Sequence, residues 1–274
     1  MGKSNQSTQE INSQAQNPLG IAPVGGLIAK FAIPAIISML VSAMYNIVDQ
    51  IFIGQGVGML GNAATNVAFP VTTIATALAL LLGIGGASNY NLEMGAGQEK
   101  KASGIAGTAL SSLVISGLIL AVIALVFLKP LLTLFGATTD VMPYAVDYTG
   151  ITALGLPFYI LSVGGNHVVR ADRSPTYSMT CIMIGAIINT ILDPVFIFVF
   201  GWGIKGAAWA TVIGQVVSGV LVIVYFWKFR NMYLTGAMLK PKMPYLKAII
   251  SLGLASCINQ IAMAIVQICL LYTS

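Results

Sequence analysis

The chain has 274 residues, of which 57% are hydrophobic and only 8% are charged, and its mean hydropathy is +0.88. A soluble domain carries roughly 25% charged residues, so this composition excludes a soluble protein, and we attribute the net charge of +5 to membrane topology rather than to nucleic acid. Unpaired backbone groups cannot face lipid, which leaves helices or a closed barrel. Apolar runs of about 20 to 25 residues are typical of helices. We therefore predict an all-α, polytopic membrane helix bundle.

Seven apolar segments follow a polar tail over residues 1–26 that we expect to be disordered. The tail is rich in Gln, Asn and Ser and lacks the apolar stretch of a signal peptide. Glycine, proline or charge separates the segments, as in the predicted turn GQGVGMLGN at residues 54–62. The predicted spans are residues 27–53, 63–90, 102–128, 142–168, 175–200, 206–227 and 246–268.

The basic residues are distributed unequally between the two ends of these spans. Two of them, Lys129 and Lys205, fall at the end of the bundle that has few basic residues, which we call the opposite end. The other, which we call the basic end, carries Lys3, Lys30, Lys100, Lys101, Arg170, Arg173, Lys228, Arg230, Lys240, Lys242 and Lys247. Cytoplasmic loops are enriched in Lys and Arg. We therefore predict a multi-pass protein of the plasma (inner) membrane whose N-terminus is cytoplasmic.

A polar stripe follows one face of span 1. It consists of Ser38, Ser42, Tyr45 and Asp49, at helical spacings of four, three and four. Pro34 lies before its start and should kink the helix, because proline removes a backbone hydrogen bond.

Spans 5 and 6 carry similar stripes. Asn189 and Asp193 stand four residues apart, so their side chains meet on one face of span 5, while Thr211, Gln215 and Ser218 mark span 6. Counted from the opposite end, Asp49, Asp193 and Thr211 lie at similar depths, within about one turn at 1.5 Å per residue. Charges inside spans are costly and usually functional. We therefore predict that Asp49, Asn189, Asp193 and Thr211 share one outward-facing polar pocket that binds a cation.

Each residue also has a simpler interpretation. Thr211 could bond to its own helix, Asp49 could reach interfacial water, and Asn189 could join two helices. The single histidine, His167, is either an interfacial residue or a proton relay.

The stretches VVRADRSP and NTILDPVFIFVFGWGIKGAAWATVIGQ, together with Pro34 and Asp49 in span 1, resemble the multidrug and toxic compound extrusion (MATE) family. The resemblance implies a cation-coupled antiporter, driven by protons or sodium, that exports cationic or amphiphilic compounds by alternating access between two six-helix lobes. It implies the same four cation-site residues and the kinking proline, and Asn166 as a further network position. Tyr45, Asn166 and Gln215 are weaker cavity candidates. The resemblance implies a transporter rather than an enzyme, with no cofactor beyond H⁺ or Na⁺.

In this interpretation residues 27–229 form the N-terminal lobe, 230–245 a cytoplasmic loop, and 246–268 the first helix of a second lobe. We expect the rest of that second lobe, which the family needs for transport, to be missing. Residues 269–274, CLLYTS, match one translated frame of a sequencing adapter, and we interpret them as an artefact.

Two other functions remain open. A lipid-linked oligosaccharide flippase of the same superfamily would carry cavity arginines for phosphates, whereas the charges within these spans are acidic. A non-transporting membrane protein would have less need of paired polar stripes.

Overall fold

The structure is a computed structural model that describes residues 24–227 and 240–273. Those two ranges contain α-helices and one π-helical turn but no strand, which confirms the all-α prediction. The helices are α1 (Val24–Gly56), α2 (Met59–Gly95), α3 (Glu99–Val126), α4 (Leu128–Leu134), α5 (Met142–Ala171), α6 (Pro175–Pro194), α7 (Ile204–Trp227) and α8 (Met243–Thr273), and the π-helical turn Val195–Val199 follows α6.

Seven of these helices, all except α4, are long and apolar enough to cross a membrane. This number confirms the seven predicted spans. Residues 1–23 of the predicted tail and most of the predicted 230–245 loop lie outside the described residues. Residues 24–26, which were predicted to belong to the disordered tail, are instead the start of α1. Helix α8 continues to Thr273, beyond the predicted end at 268.

The connections are shorter than predicted, because the helices extend into their polar ends. The predicted nine-residue turn at 54–62 is wrong: only Val57 and Gly58 lie outside helix. The amide of Val57 donates to the carbonyl of Ile53 at 2.8 Å, so the α1 hydrogen-bond pattern runs into the turn. Gly58 then reverses the chain with a φ of 85°, which glycine adopts without a steric penalty.

Helix α4 was not predicted. Its seven residues follow α3 directly, and its apolar side gives one fully buried side chain, Leu132, to a small cluster with Ala145 of α5 and Ile204 of α7. A helix of seven residues is too short to be predicted as a membrane span.

Helix α5 is central in the bundle and packs against α2, α3, α6 and α7. The close approach of α2 and α5 depends on small residues, because a Cβ placed on Gly83 of α2 would lie 2.5 Å from the Cα of Gly164 of α5. Glycine contacts of this kind are common between membrane helices.

Helices α1 and α8 lie at the two edges of this bundle. Helix α1 packs mainly against α6 and leaves Met39, Met44 and Ile47 more than 60% exposed. It continues as a helix through Pro34, whose carbonyl accepts a hydrogen bond from the Ser38 hydroxyl at 2.7 Å. The predicted kink at Pro34 stays a prediction. Helix α8 packs against α2, where the Asn89 amide of α2 donates to the Ala248 carbonyl at 3.0 Å.

Candidate cation-binding site

Three helices bring the predicted site residues together near the opposite end of the bundle. Asp49 comes from α1, Asn189 and Asp193 from α6, and Thr211 from α7. Asp193 is fully buried and Asp49 is 7% exposed. Their carboxyl groups are in direct contact. Because two ionised carboxylates in contact repel each other, the pair is stabilised by one shared positive charge.

The amide of Asn189 connects this acid pair to α7. Its Nδ2 atom lies 3.5 Å from Asp193 Oδ1 and 3.4 Å from Thr211 Oγ1. With the amide turned by half a rotation, the nitrogen lies 3.2 Å from Asp193 Oδ2 and the oxygen 3.2 Å from the backbone nitrogen of Thr211. In either orientation Asn189 donates to the carboxylate, and the turned orientation makes the shorter contacts.

Glycines on the two facing helices set this spacing. A Cβ on Gly214 of α7 would lie 2.8 Å from the carbonyl oxygen of Gly185 and 3.2 Å from the Cβ of Asn189. The helices can approach this closely only without that atom, and the approach brings Asn189 within reach of Thr211.

Two tyrosines lie beside the acid pair. Tyr45 of α1 is close to both Asp49 and Asp193. Tyr148 of α5 also lies near both, and its hydroxyl contacts Thr211. Tyr148 was not predicted. It lies seven residues into α5 from the opposite end, so the depth count that selected Asp49 could have found it.

The acid pair is buried, and its place in an outward-facing pocket stays a prediction. One oxygen of Asp49, Oδ1, is inaccessible and has no hydrogen-bond partner within the described residues. Buried carboxylate oxygens are normally satisfied. The site therefore has an acceptor available for a proton or a small cation, together with an amide and a hydroxyl that could complete an oxygen-rich ligand set.

The weaker candidates line a cavity that adjoins this site. Its volume is about 220 Å³, and Tyr45, Asn166 and Gln215 line it together with Asn189 and Thr211. The cavity extends from the site toward the basic end. Depth counting placed Asn166 near that end, and the cavity connects it to Asn189.

The MatE family model matches residues 34–195, which include Asp49, Asn189 and Asp193. The chain belongs to the MatE family.

Among its curated relatives is a FAD transporter from Shewanella oneidensis, which is 33% identical over 214 residues, or 74% of this chain and 46% of that protein. Multidrug export protein MepA from Staphylococcus haemolyticus is 31% identical over 196 residues, or 72% of this chain and 43% of MepA. The solved structure of the MATE multidrug transporter DinF-BH superposes with a TM-score of 0.85 at 33% identity, over 91% of this chain and 56% of that one.

These matches confirm the resemblance to the MATE efflux transporters and the membrane helix bundle. The chain spans about half the length of the relatives it matches. The roles of Asp49, Asn189, Asp193 and Thr211 in binding a cation stay predictions.

Proposed function

We propose that this chain forms the ion-coupled lobe of an antiporter that exports cationic or amphiphilic compounds across the plasma membrane. The observation that carries the proposal is the contact between the buried carboxyl groups of Asp49 and Asp193. Burying two carboxyl groups side by side is costly unless a positive charge is bound between or beside them. That charge is supplied in turn by a proton or sodium ion and by a cationic substrate.

Coupling follows from mutual exclusion at this site. When a proton or sodium ion neutralises the acid pair, the electrostatic attraction for a cationic substrate falls. By linkage, binding of one cation then favours release of the other by the same factor. The contact of Asn189 with both Asp193 and Thr211 would transmit the state of the pair from α6 to α7.

The second half of the transporter would cover the exposed face of α1, which carries Met39, Met44 and Ile47. Alternating access requires two bodies that rock about a fixed site, and one lobe leaves that face without a partner. In this arrangement the N-terminus and the basic end face the cytoplasm, in accord with the distribution of Lys and Arg.

The acidic character of the site favours a cationic substrate over two other cargoes. A lipid-linked oligosaccharide carries phosphates, and FAD, the cargo named for one relative, carries them too. Negative groups of this kind are recognised by Arg and Lys, whereas the charged side chains at this site are Asp49 and Asp193.

The test replaces Asp193 by Asn in a transporter in which this chain, whose α8 is the first helix of the second lobe, is continued by the five remaining helices of that lobe. Asn keeps the size and removes the charge, so export of a cationic dye should fall to background while the protein still accumulates in the membrane. Collapsing the proton gradient and the sodium gradient separately in the unsubstituted transporter identifies the coupling ion.

Asp147→Asn is the matched control, because Asp147 also lies toward the opposite end but is 43% exposed and pairs with Lys205 at 3.4 Å. The Asp147→Asn transporter should export the cationic dye at the unsubstituted rate. Gradient-driven export by Asp193→Asn at the unsubstituted rate would reject the site. Export of FAD in place of the dye would reject the cationic substrate class.

A further inference from the structure

The cavity beside the acid pair has a chemical character of its own. It lies between α1, α5, α6 and α7, and we call it the inner chamber. One end is formed by Asn189 and Thr211, and the other by His167 and Arg170. The lining between those ends combines apolar residues, such as Val163 and Ile182, with hydroxyl and amide side chains on α5 and α7, namely Ser162, Asn166, Gln215 and Ser218.

Two buried oxygens in this chamber have no hydrogen-bond partner in the described part of the chain. Asn166 is 2% exposed; its Nδ2 donates to the Ser162 carbonyl at 2.8 Å, but its Oδ1 is unpartnered. The Oε1 atom of Gln215 is likewise unpartnered. Gly155 leaves room for it, because a Cβ there would lie 2.5 Å from that oxygen. Buried acceptors that border a cavity of about 220 Å³ are normally satisfied by water or a cation.

A second cavity, of about 490 Å³, lies at the basic end against α1, α2 and α5. Phe31, Ser88 and Asn91 are among its lining residues. His167 and Arg170 line both cavities, so these two side chains stand between them. Of these two cavities, the inner chamber is the one that reaches Asn189 and Thr211.

Arg170 is fixed in this position by a contact between helices. Its Nε donates to Ser178 Oγ at 2.9 Å, which ties the end of α5 to the start of α6. Ser178 is fully buried. A guanidinium held at the end of a chamber repels cations, as fixed arginines do in selective pores.

We propose that the inner chamber is the cytoplasmic half of the path of the coupling ion: it takes water and a small monovalent cation, and Arg170 closes it toward the cytoplasm. This inference rests on the proposed function, since it assumes that the ion bound at the acid pair leaves on the cytoplasmic side. The oxygens that the chamber offers between its two ends are neutral, so a cation passes without being trapped by a fixed charge. Release of Arg170 from Ser178 opens it.

The test measures access to the chamber by cysteine labelling and does not require transport. Ser218→Cys is introduced after the cysteines at 181, 257 and 269 are replaced by Ala. Inside-out vesicles then expose the cytoplasmic face to a small cationic thiol reagent that does not cross membranes. We expect slow labelling, accelerated about tenfold or more by Ser178→Ala, because loss of a hydrogen bond to a charged group shifts the equilibrium by that order.

Thr73→Cys is the matched control. Thr73 is 4% exposed, comparable to Ser218 at 6%, but lies on α2 and lines neither cavity. Ser178→Ala should leave its labelling unchanged. Ser162→Cys replaces Ser218→Cys if the latter does not accumulate, since the two hydroxyls are 2.6 Å apart in the same chamber.

Labelling of the chamber cysteine only from the outside, or at a rate that Ser178→Ala does not change, would overturn the proposal. Equal acceleration at Thr73→Cys would also overturn it, because it would show general loosening of the bundle. Failure of the antiport proposal gives a different result: the chamber would still open with Ser178→Ala, but Asp193→Asn would export normally.

Discussion

Asp172 and Asp193 lie at opposite ends of the bundle, and both are nearly inaccessible, at 1% and 0% exposed. Asp172 is fully supplied with donors: the Tyr90 hydroxyl of α2 donates to its Oδ1 and the Tyr225 hydroxyl of α7 to its Oδ2, each at 2.7 Å. Asp193 instead contacts another carboxyl group, and its amide neighbour Asn189 is 3.5 Å away.

The difference teaches that burial alone does not identify a functional carboxylate. Asp172 joins three segments of the chain, and its neighbour Arg173 adopts a φ of 61°, which residues other than glycine rarely take. The surrounding contacts must hold that strained turn. A carboxylate whose two oxygens both accept hydrogen bonds has a structural role. A buried acid pair with an oxygen that accepts no hydrogen bond would be stabilised by a bound cation.

The largest effect expected from this comparison is on folding. Asp172→Ala leaves two tyrosine hydroxyls buried without their carboxylate, at about 1–3 kcal/mol for each unsatisfied group. The variant should lose several degrees in thermal unfolding of the purified chain in detergent and should accumulate poorly in membranes. An unfolding midpoint equal to that of the unsubstituted chain would mean that Asp172 does not hold the turn.

A smaller effect is expected where α6 meets α7. Gly214→Ala places a methyl group 2.8 Å from the Gly185 carbonyl oxygen, and such overpacking costs about 1–3 kcal/mol. It should also separate Asn189 from Thr211, so that dye export by the two-lobe transporter falls with the unfolding midpoint. The matched control is Gly150→Ala on α5, where a Cβ would meet only ordinary contact at 3.7 Å. Equal behaviour of the two variants would show that the glycine contact does not set the site.

The tyrosines around Asp172 should each contribute less than the carboxylate. Tyr90→Phe and Tyr225→Phe each remove a hydrogen bond to a charged acceptor, worth about 1.5–3 kcal/mol, and Tyr225→Phe also removes the contact of that hydroxyl with Ser174 Oγ at 2.7 Å. Because both donate to the same carboxylate, the double variant should deviate from additivity in thermal unfolding. Strict additivity would indicate that the two tyrosines act independently of Asp172.

The smallest effect on stability is expected at the acid pair itself. Asp193→Asn removes the repulsion between two carboxyl groups and keeps an acceptor for Asn189, so the free energy of unfolding should change by less than about 1 kcal/mol, or rise. Thermal unfolding of Asp193→Asn and of Asp172→Asn, measured side by side, tests the comparison directly. Destabilisation of both to the same extent would assign Asp193 a structural role.

The sequence by itself determined the parts of this protein that depend on one helix at a time. Run length predicts seven spans, and the seven candidate spans of the structure agree with them. Helical spacing placed Asn189 and Asp193 on one face, and depth from the membrane edge associated them with Asp49 and Thr211, because helices in a bilayer share a common thickness.

Only the tertiary structure decided which helices are neighbours. The partners of Asp172 come from 82 and 53 residues away along the chain, and the chamber that ends at Arg170 is formed by four helices. The tertiary structure also decided that the acid pair is buried, since this burial depends on how α1 packs against α6. The physical reason is that lipid is as apolar as the interior of the bundle, so hydrophobicity along a helix does not distinguish the face that meets lipid from the face that meets protein.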